Sequence, residues 1–188
     1  MKTKCIFLDR DGTINVYKGL LYRSEDLILY PNSAKAIRMI NESDYLCIVV
    51  SNQPVVARNL CTIEEAWNIN KKMEMLLKKQ GAYLDDIFIC PHHPDKGYPE
   101  ENPDYKIDCD CRKPKIGMIL EAQKKYDIDL SQSYIVGDTT IDIQTGKNAG
   151  LKTILVKTGL GGTDSKYKIE PDFVAEDLFD AVRIIFGG

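Results

Sequence analysis

The chain has no excess of basic residues, no long apolar run and no internal repeat, and each absence excludes a class of function. Lys and Arg number 25 against 28 Asp and Glu, a net charge of −3. A bulk electrostatic attraction to nucleic acid or to an anionic membrane surface is thereby excluded. No apolar run approaches the length of a membrane span, and the first residues lack the apolar stretch of a signal peptide. The expected compartment is the cytoplasm, with neither nucleic acid nor membrane as partner. No Pro-, Gly- or Ser-rich linker divides the sequence, so residues 1–188 are expected to form one domain, long enough to bury a core. Hydrophobic residues at 44% and charged residues at 28% are ordinary for such a domain.

Six cysteines are present, but their placement argues against disulfides. Cys5 and Cys47 lie inside apolar runs, where a thiol acts as a small hydrophobe. Cys61 stands beside a helix start without an evident partner. Cys90, Cys109 and Cys111 gather near histidines, which in a reducing compartment points to metal.

Short apolar runs at 4–8, 46–50, 87–90, 134–136 and 153–156 predict buried strands. Helical patterns fall at 34–41, 62–80, 116–126, 141–149 and 175–186. Asn32 or Ser33 is placed to cap the first helix, and Thr62-Ile63-Glu64-Glu65 reads as a capping box opening the second, with Gly81 as its stop and Gly150 closing the fourth. This alternation predicts an α/β fold with a doubly wound, mostly parallel sheet and helices on both faces. Two segments break the rhythm. Residues 15–29 are too long for a tight turn, and residues 91–114 carry five prolines. Segments of that length in a compact domain are usually functional or pinned.

The first chemical signal is Phe7-Leu8-Asp9-Arg10-Asp11-Gly12-Thr13, where two acids appear just as a buried strand ends. Taken alone, the pair could be an acidic turn capping the next element. Ser51-Asn52-Gln53 follows the second strand and Gly137-Asp138 the fourth. In a doubly wound sheet all three clusters meet at the carboxyl edge, where such folds bind ligands. Lys113, with Arg112 beside it, adds fixed positive charge before a helix. These are the parts that metal-assisted phosphoryl transfer needs. It uses a carboxylate nucleophile, a second acid to move a proton, oxygen ligands for Mg²⁺, and donors that neutralise the transferring oxygens.

The second signal is Cys90-x-His92 with Cys109-x-Cys111 sixteen residues further on. Three thiols and an imidazole form a closed zinc set with no open position, so the metal would be structural and would pin the proline-rich loop, about 90–114. His93 rivals His92 as the fourth ligand. Gly159-Leu160-Gly161-Gly162 lacks the lysine and spacing of a phosphate loop and reads as a flexible connection after the last strand. Tyr17, Lys18 and Tyr22 could touch a substrate or simply be exposed, and Lys71, Lys72, Lys78 and Lys79 read as a solvated helix face.

These residues resemble a family. Asp9-Arg10-Asp11-Gly12-Thr13, Ser51-Asn52-Gln53, Cys111-Arg112-Lys113-Pro114-Lys115 and Gly137-Asp138 with Asp142 look like the four motifs of the haloacid dehalogenase superfamily of phosphatases. The zinc-ligand pattern and Cys90-Pro91-His92-His93-Pro94 are similar to the branch holding D-glycero-D-manno-heptose 1,7-bisphosphate 7-phosphatases and histidinol-phosphate phosphatases. The resemblance runs from about residue 4 to 157. It implies a Rossmann-like fold without a large cap domain, in which loops grip the substrate. Asp9 would be the nucleophile and Asp11 the general acid/base, with Ser51 and Lys113 stabilising the phosphoryl group. Asp9, Asp138 and Asp11, the last through its backbone carbonyl, would surround Mg²⁺. Asn52, Gln53, Arg112 and Thr139 would contact substrate, and Cys90, His92, Cys109 and Cys111 would hold zinc.

Asn15-Val16 and Ala57-Arg58 look like the heptose branch, whereas Tyr17-Lys18-Gly19-Leu20 keeps only a glycine of its usual pattern, and Thr139 stands where a lysine often follows. The implied activity is removal of the 7-phosphate in nucleotide-activated heptose synthesis, with histidinol phosphate or another small sugar phosphate as the alternative substrate. A monomer is expected, with a sugar nucleotidyltransferase as possible pathway associate. A phosphoacceptor receiver module is the competing non-enzyme reading. It fits the acid pair but is shorter, carries its acceptor on a later strand and has no use for a zinc clip.

Overall fold

The computed structural model describes residues 2–95, 97 and 101–188. Part of the proline-rich segment expected as the zinc loop, Lys96 and 98–100, lies outside the described residues. Six strands, β1 (Lys4–Leu8), β2 (Tyr45–Asn52), β3 (Asp86–Cys90), β4 (Tyr134–Gly137), β5 (Lys152–Val156) and β6 (Phe173–Ala175), form one sheet in the order β3-β2-β1-β4-β5-β6. Every neighbouring pair is parallel. The strand order reverses between β1 and β4, and in open α/β sheets that switch point, at the carboxyl ends, is where ligands bind.

Among the described residues five helices cover the sheet: α1 (Ser33–Asn41), α2 (Ile63–Lys78), α3 (Gly117–Tyr126), α4 (Thr140–Ala149) and α5 (Leu178–Phe186). The period of two along each strand sorts side chains between the faces. Ile6, Leu8, Cys47, Val49 and Val136 join a core with Ile37 and Ile40 of α1, Ile69 and Met73 of α2, and Leu178 and Val182 of α5. Cys5, Phe7, Ile48, Val50 and Ile135 join another with Met118 and Ile119 of α3. Helix α4 lies on this second face, so close that a Cβ on Gly146 would collide with Ile135 and Thr153. The doubly wound, mostly parallel sheet expected from the sequence is therefore present, with all pairs parallel. No helix among the described residues is long and apolar enough to cross a membrane.

The predicted strands agree with β1–β5, and the capping box at Thr62 and Glu65 forms as expected. Three local expectations are corrected. Residues 175–186 are not one helix. Phe173–Ala175 is a short exposed edge strand, and the helix starts only after Asp177, whose side chain accepts from Asp180 N–H at 2.9 Å. Asn32 does not cap α1. Its amide donates to Asp177, while the Ser33 hydroxyl donates to the Ile14 carbonyl at 2.6 Å. The stretch 159–162 is not a loose connection, because it is tied to Asp138 by two hydrogen bonds. Residues 15–29 form a loop whose ends are tied by isolated bridges, Asp11 to Asn15 and Asn15 to Leu29, with Leu21 and Leu27 buried.

Candidate active site

Strand β1 stops at Leu8, but Asp9 N–H still donates to Val136 O at 2.9 Å, which extends the β1–β4 ladder and holds Asp9 at the switch point. A cleft of about 180 Å³ opens there. Asp9, Asp11, Ser51, Asn52, Gln53, Arg112, Lys113, Asp138 and Thr139 all line it, so the side chains expected at the site meet in one place.

Lys113 is the electrostatic centre. It is only 5% exposed, and its Nζ lies 3.0 Å from Asp9 Oδ1 and 2.6 Å from Asp142 Oδ1. Burial alone would lower its pKa, but the charges of Asp142 and Asp9 prevail and raise it, so it stays an ammonium. Asn52 clamps the lysine's main chain from both sides, donating to Lys113 O at 3.1 Å and accepting from Lys113 N–H at 3.0 Å. Asn52 thus spends its amide on Lys113, although it was expected on the substrate. Gln53, expected there too, donates to Asp11 Oδ2 and Ser51 Oγ, both at 2.9 Å. Thr139 caps α4 and donates to Asp142 Oδ2 at 2.5 Å.

The acids are crowded. Burial, outweighing the opposing charge of Lys113, pushes Asp9 up to about 6, with Asp142 and Asp11 adding repulsion. Burial, with the charges of Asp9 and Asp142, pushes Asp138 up to about 8. Asp11 goes the other way. Burial would raise it, but Arg10 beside it and hydrogen bonds from Gln53, Arg10 and Asn15 hold it below the usual carboxylate range.

This donor set fits a hard divalent cation. Asp9, Asp138 and Asp142 each offer an oxygen within 4.8 Å of the others. Among the described residues, Asp138 Oδ1 is buried without a hydrogen-bond partner, whereas its Oδ2 accepts from Leu160 N–H at 2.7 Å. Both oxygens of Asp142 are engaged, by Lys113 and Thr139, so Asp142 suits an orienting role. Two glycines make the approach to Asp138 possible. A Cβ on Gly12 (φ +84°) or on Gly159 (φ +61°) would sit on the Asp138 carboxylate.

A second cluster lies beside the cleft. Cys90 Sγ is 3.5 Å from Cys109 Sγ and 3.1 Å from Cys111 Sγ, and His92 Nδ1 is 3.3 Å from Cys111 Sγ. These separations approach the edges of a zinc–thiolate tetrahedron, about 3.8 Å for bonds of about 2.3 Å. Burial lowers the pKa of His92, which suits a neutral ligand. His93, the rival, turns elsewhere. Its Nδ1 accepts from Asp95 N–H at 3.2 Å, and Arg58 Nη2 lies 3.2 Å from its Nε2. The cluster reaches the cleft through Arg112, which follows Cys111 and donates to the His92 carbonyl at 2.9 Å.

Sequence reasoning missed Arg10, Asn70 and the anchoring work of Asp142. Arg10 is fully buried, where a charged residue is rarely found, and Asn70 sits on the inner face of α2. Nothing in residue type alone marks either.

The profile of the HAD-hydrolase-like family matches residues 110–181. A Pasteurella multocida protein, D-glycero-beta-D-manno-heptose-1,7-bisphosphate 7-phosphatase, is 37% identical over 98% of this chain and 97% of its own length. A Photorhabdus laumondii protein named for the alpha anomer is 39% identical over 84% of this chain and 85% of its own. The crystal structure of D,D-heptose 1,7-bisphosphate phosphatase from B. bronchiseptica, complexed with magnesium and phosphate, superposes with a TM-score of 0.85 at 32% identity, covering 98% of this chain and 99% of that one.

Proposed function

The chain belongs to the haloacid-dehalogenase-like phosphatases, in the group of the D-glycero-D-manno-heptose-1,7-bisphosphate 7-phosphatases, and from that premise we propose that it hydrolyses the 7-phosphate of such a heptose bisphosphate. The observation that carries the proposal is Asp9 at the switch point, 3.0 Å from a buried Lys113 and beside an Asp138 oxygen that has no hydrogen-bond partner among the described residues.

In this reading the Asp9 carboxylate attacks phosphorus. The bond from phosphorus to the sugar's O7 breaks as an acyl phosphate forms, and Asp11 delivers a proton to the departing O7. Water then attacks the acyl phosphate. Asp11 takes the proton from that water, phosphate departs, and the Asp9 carboxylate is restored. At neutral pH Asp11 is held as a carboxylate, which suits it to the second step. For the first it must already carry a proton, and the negative charge of an arriving phosphate favours that by raising its pKa. Lys113 Nζ and the Ser51 hydroxyl neutralise charge on the transferring oxygens. Asp9 and Asp138, with the Asp11 carbonyl, would hold magnesium, which supplies positive charge to the phosphoryl group when bound. Arg112, with Asn52, Gln53 and Thr139, lines the cleft and would contact the rest of the substrate.

The zinc set would fix the loop that presents Arg112 and Lys113. Residues 1–188 would act as one domain, a cytoplasmic monomer in nucleotide-activated heptose synthesis alongside a sugar nucleotidyltransferase. A substrate panel tests the proposal: both anomers of the heptose bisphosphate and histidinol phosphate, each with magnesium. One heptose anomer should exceed histidinol phosphate by at least ~100-fold in kcat/KM, the discrimination available to a site built around substrate hydroxyls. Preference for histidinol phosphate would overturn the assignment.

A further inference from the structure

Arg10 stands between the two acids of the first motif, yet its side chain is 0% exposed and among the largest fully buried in the molecule. Its guanidinium makes four hydrogen bonds. Nε and Nη2 donate to the two oxygens of Asp11 at 3.3 and 2.8 Å, Nη2 also donates to Gln53 Oε1 at 2.9 Å, and Nη1 donates to Asn70 Oδ1 at 2.9 Å. Two of these partners lie on other elements, Gln53 just after β2 and Asn70 within α2. If packing were the only need, an apolar side chain of that volume would serve as well, because a buried ion pair adds little net stability. What an apolar side chain cannot do is fix the plane of a carboxylate. The rigid fork of a guanidinium does so through two parallel bonds.

Four donors hold the Asp11 carboxylate at the cleft wall. Oδ1 receives Arg10 Nε and Asn15 Nδ2, and Oδ2 receives Arg10 Nη2 and Gln53 Nε2. We propose that Arg10 is a positioning residue: anchored on Asn70 and Gln53, it aims the Asp11 carboxylate into the cleft so that Asp11 meets the leaving oxygen. The proposal rests on the phosphatase reading above. Arg10 touches neither substrate nor reacting atoms and acts only through Asp11.

A misaimed proton donor has a signature that general disorder lacks. The alkoxide leaving from a sugar phosphate is strongly basic and needs a proton as the bond breaks, whereas nitrophenolate departs without one. The test compares kcat/KM for D-glycero-D-manno-heptose 1,7-bisphosphate and for p-nitrophenyl phosphate, in wild type, Asp11→Asn, Arg10→Lys and Asn70→Leu. Arg10→Lys keeps the charge but loses the fork. It should lower the sugar ester about 100-fold, the low end of what general acid catalysis contributes, and the aryl ester less than about 5-fold. Asn70→Leu removes the far anchor without touching Asp11 and should give the same selective loss on the sugar ester, smaller than that of Arg10→Lys. It decides the matter if Arg10→Lys does not fold. Equal losses on both esters, or no loss, would overturn the positioning role. Wild type inert on both esters would overturn the phosphatase reading instead. Selective loss in Asp11→Asn without it in the Arg10 and Asn70 variants would sink this proposal alone.

Discussion

Replacing Gly159 by alanine should weaken magnesium binding and cost the fold clearly more than the same change at Gly81. Both glycines have left-handed backbones, φ +61° and φ +75°. Alanine in that region costs about 1 kcal/mol, which for a chain of this size lowers Tm by about 2–4 °C. The surroundings differ. A Cβ on Gly81 meets nothing within 4 Å, whereas on Gly159 it would overlap Asp138 Oδ2 and lie 2.6 Å from the Gly12 Cα. The overlap with Gly12 backbone forces the 159–162 loop to shift, and the overlap with the carboxylate forces Asp138 to turn. That breaks its bond from Leu160 N–H, worth about 0.5–1.5 kcal/mol, and turns its unpartnered oxygen away from Asp9. Misaligning a ligand in this way typically costs 10–100-fold in metal affinity. The assay is the magnesium concentration giving half-maximal phosphate release, read beside thermal melts for both variants. Gly159→Ala should need at least ~10-fold more magnesium. A wild-type magnesium requirement in Gly159→Ala would refute the view that the 159–162 loop shapes the Asp138 ligand.

Three further outcomes are expected. Lys113→Met leaves Asp9 and Asp142 as uncompensated buried acids, so stability should fall by about 3–5 kcal/mol in denaturant melts and phosphate release by at least ~100-fold. Purified protein should carry about one zinc by metal analysis, and Cys109→Ser should lose it with a clear drop in Tm. For pH, the folded pKa values of Asp9 (about 6) and Asp138 (about 8) lie above the unfolded carboxylate value. The native state of magnesium-free protein therefore holds more protons than the unfolded state, and its stability should fall as pH rises through about 4 to about 8. Magnesium should reverse this, raising Tm more at about pH 8 than at about pH 6, because protons no longer compete for the carboxylates.

Much of the fold was legible because it depends on periodicity. Ile6 and Leu8 face one core and Cys5 and Phe7 the other, and a continuous apolar run is what such a doubly covered strand requires. Strand β6 was not legible. It is three residues long at the sheet edge, with Phe173 and Val174 exposed, so no burial pattern marks it. The site's acids and Lys113 could be read because buried parallel strands place whatever follows them at one edge. The roles of Asn52 and Gln53 could not. Residue type says that an amide is present but not that it clamps the Lys113 main chain or braces Asp11. The glycines at 159–162 suggested looseness, whereas Gly159 is there because Asp138 occupies the space of its missing Cβ. Arg10 escaped for the same reason, since only the fold reveals a buried guanidinium.

The most direct test of the central claim is a rapid acid quench of wild type and Asp9→Asn with D-glycero-D-manno-heptose 1,7-bisphosphate and magnesium, followed by mass analysis of the peptide carrying Asp9. Wild type should release phosphate from the 7-position and show one phosphoryl group on that peptide, and Asp9→Asn should show neither. Undiminished phosphate release by Asp9→Asn, or a phosphoryl group trapped on another residue, would contradict the account.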